Sequence, residues 1–227
     1  MAALLKDLRQ AAQSFGLALR GGFHPAIGDG VPAMRDGTAA ASLVLLGNIG
    51  GSMWPAFSAS PEKADGRPDS LDRWTRRIVD AIAGRFGAEA LYPFGGPPWL
   101  PFQRWAQRAE PVAPSPIGVL IHPDFGLWHA YRAALAFGAV LDLPAPVLRP
   151  RPCDTCMQRP CLSACPVAAF SPTGYDVGVC RGHVASARGT ACREGGCLAR
   201  LACPVARDLA YPPAELAYHM AAFLSVR

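Results

Sequence analysis

All eight cysteines of the chain fall between residues 153 and 203, as Cys153, Cys156, Cys161 and Cys165, then Cys180, Cys192, Cys197 and Cys203. Each group of four ends in Cys-Pro, at Cys165-Pro166 and Cys203-Pro204. Thiolates are soft ligands for iron and zinc, and four of them complete the coordination of one 4Fe-4S cube. Eight make two cubes with none left over. Structural zinc also accepts thiolates at the C-x2-C spacing of Cys153 and Cys156, and disulfides are a third use. Disulfides require an oxidising compartment. The segment Met1 to Phe15 carries Lys6, Asp7 and Arg9 and has no uninterrupted apolar run, so no secretory signal is expected. No apolar stretch reaches the length of a membrane span. A cytoplasmic protein with no membrane partner is expected.

The iron–sulfur reading makes a definite assignment. In two-cluster ferredoxins the run is C-x2-C-x2-C-x3-C-P, and the cysteine before proline crosses over to the other cube. Here the runs are C-x2-C-x4-C-x3-C-P and C-x11-C-x4-C-x5-C-P. Loops lengthen at small entropic cost once their ends are fixed, so the insertions read as bulges. The crossover then assigns Cys153, Cys156, Cys161 and Cys203 to one cube and Cys165, Cys180, Cys192 and Cys197 to the other.

Composition bounds the rest. With 51% hydrophobic and 17% charged residues over 227 positions, the chain folds as one substantial domain and a smaller one. The formal charge of +5 counts cysteines as neutral. Each oxidised cube with four thiolates carries about two negative charges, which brings the loaded protein to about +1. The arginines are scattered, with no basic run interleaved with aromatics. No nucleic-acid partner is expected.

The elements that must position the cysteines divide at Leu143 to Pro152, a proline-rich and therefore stiff stretch. It separates residues 1–147 from a cluster region, 148–227. Leu4, Leu5, Leu8, Ala12 and Phe15 recur at helical spacing, with Gly21-Gly22 as the expected stop. Leu43 to Leu46 and Ile117 to Ile121 read as buried strands. Ser70 is the expected cap of a helix with Leu71, Trp74, Ile78, Ile82 and Phe86 on its face and Gly87 at its end. Pro97-Pro98 suits the start of a helix carrying Trp99, Phe102 and Trp105. Trp128 to Phe137 fits helix or strand. Pro212-Pro213 opens a last helix with Leu216, Met220, Phe223 and Leu224 on one side. The cluster region is too poor in large apolar side chains to fold without its metal.

Upstream, the informative stretch is Ile117 to Arg132, in which His122-Pro123 follows an apolar run. A titratable ring at a strand end is a ligand-site candidate, with a core or capping histidine as the plain alternative. The residues Ile121, His122, Pro123, Phe125, Gly126, Trp128, Ala130 and Arg132 resemble the I-H-P-x-F-G-x-W-x-A-x-R stretch of the cobalamin-processing family that removes the upper axial ligand. The resemblance extends over about residues 20–145. It implies an α+β, nitroreductase-like domain that binds cobalamin, with Trp128 to Phe137 as a strand. It also implies a pocket drawn from His122, Phe125, Trp128 and Arg132. Trp99 and Trp105 are candidate further walls, with ordinary core packing as the plain alternative.

The downstream half is similar to the ferredoxin-like two-cluster module of epoxyqueuosine reductase and of reductive dehalogenases, which join the same two parts in the same order. Animal-type cobalamin-processing proteins lack these cysteines. Epoxyqueuosine reductase is longer, with a helical-repeat tail for tRNA, so no tRNA substrate is expected here. Together the resemblances imply an oxidoreductase. An external donor passes electrons through two 4Fe-4S clusters to a bound cobalamin or other corrinoid, for its reduction or for removal of its upper ligand. Two alternatives stay open. One is a specialised ferredoxin relaying electrons to a partner. The other is a flavin-dependent reductase, although Gly47-Asn-Ile-Gly50-Gly51 departs from the G-x-G-x-x-G phosphate cradle.

Overall fold

In the computed structural model, which describes residues 2–171 and 174–225, the apolar stripe at the N-terminus forms helix α1 (Ala2–Gln13), with Leu8 and Ala12 fully buried. The helix stops at Gly16, not at Gly21-Gly22. Gly16 adopts φ +71°, its amide reaches Gln13 O at 2.9 Å, and the Leu17 amide reaches Ala12 O at 3.1 Å. That pair of bonds is a Schellman closure, which needs the left-handed conformation glycine adopts freely. Gly21 and Gly22 instead sit in a strand, β1 (Ala18–Phe23). A Cβ on Gly21 would lie 2.3 Å from Ala109 O, so the glycine marks a close backbone approach between this strand and the helix that ends at Ala109.

The next elements are β2 (Ser42–Ile49), two short helices, α2 (Trp54–Ser58) and α3 (Pro61–Ala64), and the long α4 (Ser70–Phe86). Helix α4 buries Leu71, Trp74, Ile78 and Ile82, and Gly87 closes it at φ +64°. Ser70 is inside the helix. The cap position is Asp69, left-handed at φ 54° and without a side-chain capping bond. There follow β3 (Glu89–Leu91), α5 (Phe102–Ala109), a two-residue pair β4 (Ala113–Pro114) and β5 (Leu120–Ile121), and β6 (His129–Phe137). Helix α5 begins behind Pro101, later than Pro97-Pro98. The cysteine region consists of α6 (Pro160–Ser163), the hairpin β7 (Phe170–Ser171) and β8 (Gly174–Tyr175), α7 (Val177–Ala185), α8 (Thr190–Gly195), α9 (Leu198–Leu201) and α10 (Pro213–Ser225).

The chain divides into two compact units. The first comprises Met1–Pro111 with His129–Leu148, and the second Val112–Trp128 with Arg149–Arg227. The first unit is built on an antiparallel sheet of order β1-β2-β6-β3. Leu43 to Leu46 are at most 2% exposed, with side chains pointing alternately to the two faces, so both faces of β2 are covered. Trp128 to Phe137 resolves as strand: β6 is the central partner of β2 and buries Ala133 to Phe137.

In the second unit the run Ile117 to Ile121 is a turn more than a strand. Ser115 and Gly118 close a reverse turn at 3.0 Å, and only Leu120 and Ile121 pair, with Pro114 and Ala113. Its apolar residues have a different task. Ile117, Ile121 and Leu127 pack with Cys161, Ala199 and Cys203, and Cys153, Cys165 and Cys197 pack against the same group. In this core the sulfurs of cysteine take the place of much of the hydrocarbon. Among the described residues no helix is long and apolar enough to cross a membrane.

Candidate metal centres

The eight thiols line two cavities in the second unit. Around the first stand Cys153, Cys156, Cys161 and Cys203, with Ile117, Ile121 and Leu127 closing the apolar sides. Around the second, of about 300 Å³, stand Cys165, Cys180, Cys192 and Cys197. The cysteine before each proline therefore leaves its own run and faces the other group. Cys153 lies on a 3-10 turn (Pro152–Asp154) and Cys161 on α6, while Cys203 arrives from beyond α9. Cys165 follows α6, Cys180 lies in α7, Cys192 in α8, and Cys197 caps α9.

The first cavity is tighter, about 20 Å³. A metal bonded to thiolate at about 2.3 Å sits closer to sulfur than any unbonded atom can, so space that excludes water can still accept a bonded centre. Among the described residues, no three Cys, His, Asp or Glu side chains come close enough together to hold a single metal ion. The thiols surround their cavities; they do not converge on a point.

Burial is the chief electrostatic fact here. Removal from water pushes the thiols of Cys153, Cys161, Cys192, Cys197 and Cys203 above the ordinary range. Amide donors oppose it. The Cys192 thiol is met by the Leu198 amide, Cys197 by those of Ala199 and Arg200, and Cys203 by that of Val205. The Ala169 amide donates to Cys165 Sγ at 3.3 Å. Such donors favour thiolate over thiol, the form a metal requires.

The candidate cobalamin residues are divided between the two units. His122, Phe125 and Trp128 belong to the second unit and Arg132 to the first. His122 is buried and its Nδ1 accepts the amides of Asp124 at 3.0 Å and Phe125 at 3.3 Å. Its ring stacks on Phe125 at 4.1 Å, and its backbone pairs with Gly126 in both directions at 2.9 Å. Accepting from amides fixes the ring proton on Nε2. Trp128 packs edge-on to Tyr211 at 5.5 Å, and the Arg200 guanidinium lies 4.7 Å over Trp128 while its Nε donates to Leu127 O at 3.1 Å. In the first unit, Arg132 pairs with Asp72 at 2.8 Å. Trp105 is fully buried and donates to Asp29 O at 2.8 Å, whereas Trp99 is exposed.

The I-H-P-x-F-G-x-W stretch thus carries a structural role in the cysteine-bearing unit. Gly126 is its hinge: φ is +56°, and a Cβ there would lie 2.3 Å from Val205 O, two residues past Cys203. Gly126→Ala should destabilise the second unit by at least about 2 kcal/mol, combining left-handed strain with displacement of a backbone carbonyl. Iron content and urea midpoints of the purified variant are the measurements, and both should fall. The residues that sequence reasoning passed over are Tyr175, His183 and Arg200, which line the second cavity. Tyr175, five positions before Cys180, was the one with a positional signal.

No protein-family model matches the chain, and no curated protein matches it by sequence. Solved structures do match in three dimensions. One epoxyqueuosine reductase aligns over 95% of this chain and 68% of its own, at 14% identity and TM-score 0.57. That from Bacillus subtilis aligns over 95% and 69%, at 15% identity and TM-score 0.56. A third, solved with an epoxyqueuosine-modified tRNA-Tyr stem loop, aligns over 93% and 67%, at 15% identity and TM-score 0.54. The chain has a mixed α+β fold that it shares with epoxyqueuosine reductase.

Proposed function

We propose that this chain is an iron–sulfur redox protein whose two thiol quartets hold 4Fe-4S cubes and deliver electrons to a cobalamin. The observation that carries the reading is the grouping of eight thiols around two separate cavities in crossover order. The donor set fits the group. A cube spreads four thiolates around a core of several atoms, whereas tetrahedral zinc draws them to one point. When bound, each cube supplies reversible one-electron transfer at a potential set by its surroundings. The chain's own contribution is positioning. Helices α6 to α9 and the turns flanking them hold the thiols, backbone amides meet the sulfurs, and Ile117, Ile121 and Leu127 exclude water from the first quartet.

Cobalamin as acceptor is supported by the I-H-P-x-F-G-x-W-x-A-x-R resemblance. Of those residues, His122, Phe125 and Trp128 make their contacts within the second unit and Arg132 within the first, so the pocket rests on the resemblance alone. For that reason a relay passing electrons to a partner enzyme is the second reading. No feature among the described residues favours flavin.

Anaerobically purified protein should contain about eight irons and eight acid-labile sulfides per chain. Added hydroxocobalamin should show the spectrum of the base-off form and be reduced when the cubes are reduced with dithionite. Zinc in place of iron overturns the cluster reading. Full iron without any cobalamin response leaves the relay.

A further inference from the structure

Ser115 stands directly after β4, in the turn that joins it to β5. Its amide donates to Val119 O at 2.9 Å, and its carbonyl accepts from the Gly118 amide at 3.0 Å. Gly118, at φ +82°, lets that turn close. The hairpin is tied to the first thiol quartet in two ways. Arg151, two residues before Cys153, donates from Nη2 to Pro114 O at 2.7 Å, and Ile117 and Ile121 pack with Cys161 and Cys203. Ser115 is 8% exposed, and its Oγ is buried with no hydrogen-bond partner among the described residues. The residue lines the cavity of Cys153, Cys156, Cys161 and Cys203. It also borders a wider groove, of about 430 Å³, yet Oγ itself is closed to solvent. A buried hydroxyl that bonds to nothing is rare, because it has given up water without replacement. The side chains around the first cavity give it little else to donate to. Pro116, Ile117, Ile121 and Leu127 are hydrocarbon, and the Arg159 guanidinium is itself a donor with no acceptor. What remains is sulfur.

We propose that Ser115 is a hydrogen-bond donor to the first cube: its hydroxyl meets a sulfur of the cluster held by Cys153, Cys156, Cys161 and Cys203 and raises the reduction potential of that cluster. The proposal rests on the two-cube reading above. A one-electron reduction adds negative charge that spreads onto the sulfurs, so a donor to sulfur binds the reduced cube more strongly than the oxidised one. Removing the donor then favours the oxidised form. Ser115 is not among the residues that line the cavity of Cys165, Cys180, Cys192 and Cys197. The second cube keeps whatever donors its own surroundings supply, and a change at Ser115 leaves them in place.

The test is an EPR-monitored redox titration of holoprotein carrying Ser115→Ala, which removes the hydroxyl and little else. One cube should become about tenfold harder to reduce, a shift of about 59 mV downward for one electron, and it should be the cube whose signal Cys203→Ser removes. The other should not move. An exchangeable proton coupled to the same cube, seen as a difference between samples in H2O and D2O, should disappear. Should Ser115→Ala load poorly, the isosteric pair Ser115→Thr and Ser115→Val repeats the comparison. Ser115→Thr keeps the donor and should hold the wild-type potential, and Ser115→Val should fall below it by the same amount. An unchanged potential on losing the hydroxyl, equal movement of both cubes, or movement only of the cube that Cys165→Ser removes overturns the proposal. Wild-type protein without cube signals overturns the underlying reading instead, and is told apart by its iron content.

Discussion

On the two-cube reading proposed above, Cys165→Ser should remove one cube and spare the other, and the one removed should be the cube otherwise held by Cys180, Cys192 and Cys197. The expectation runs against sequence order, because Cys165 stands only four residues from Cys161 and fifteen before Cys180. It follows from which cavity each thiol faces. A serine hydroxyl at neutral pH is a poor replacement for thiolate, so iron content should fall from about eight to about four per chain. Cys203→Ser is the reciprocal case and should remove the cube of Cys153, Cys156 and Cys161. Iron analysis with EPR of each variant decides it. Loss of the cube nearer in sequence would contradict the crossover. In both variants the emptied quartet should also expose amides of the second unit to hydrogen exchange, since ligation contributes to its folding.

Arg20→Leu should destabilise the first unit by about 3–5 kcal/mol. Arg20 is completely buried, and it grips Glu110 with both prongs, at 2.9 and 2.7 Å. Its Nη1 donates to Asn48 O at 3.2 Å, and its Nη2 donates to His129 Nδ1 at 3.2 Å. Tyr131 donates its hydroxyl to the same Glu110 carboxylate at 2.7 Å. Burial, with the Glu110 charge beside it, holds the Tyr131 phenol well above its usual range. Leucine fills the volume but leaves a largely desolvated carboxylate with no cation, and that uncompensated charge is the main cost. Urea unfolding monitored by hydrogen exchange at β1, β2 and β6 should register the loss. Arg20→Leu with Glu110→Leu should recover much of it, because replacing both ions of a buried pair with hydrocarbon is often nearly neutral. A double variant no better than the single would mean the packing around Arg20, and not its charge, is what matters.

The parts readable in the sequence were those where one physical requirement dictates residue type. The cysteine pattern, with the residue before each proline reaching across, is the one that matches which thiols line each cavity. Helix α4 was visible because Leu71, Trp74, Ile78 and Ile82 keep helical period to Gly87. Strand β2 was visible because a strand covered on both faces needs an unbroken apolar run. What escaped depended on tertiary contact. Gly21-Gly22 looked like a helix stop, yet Gly21 is small because Ala109 O presses against it, while the true stop was the single Gly16. Ile117 to Ile121 looked like a strand because packing against cysteines calls for the same residues as packing in a sheet. The His122 segment had a recognisable motif, but a motif cannot say that Nδ1 is committed to two backbone amides, nor that Gly126 yields to Val205. Arg20 gave no sign of burial, since its partner Glu110 lies ninety residues away.

The interchange of Cys165 and Cys203 has a consequence for synthesis on the ribosome. The cavity begun by Cys153 is not complete until Cys203 has left the exit tunnel, by which time every thiol of its neighbour has been made. Neither centre can mature early on a partial polypeptide. On the two-cube reading, delivery of metal to either quartet must wait until Cys197 has been made, which gives the nascent thiols a shared window of vulnerability to oxidants.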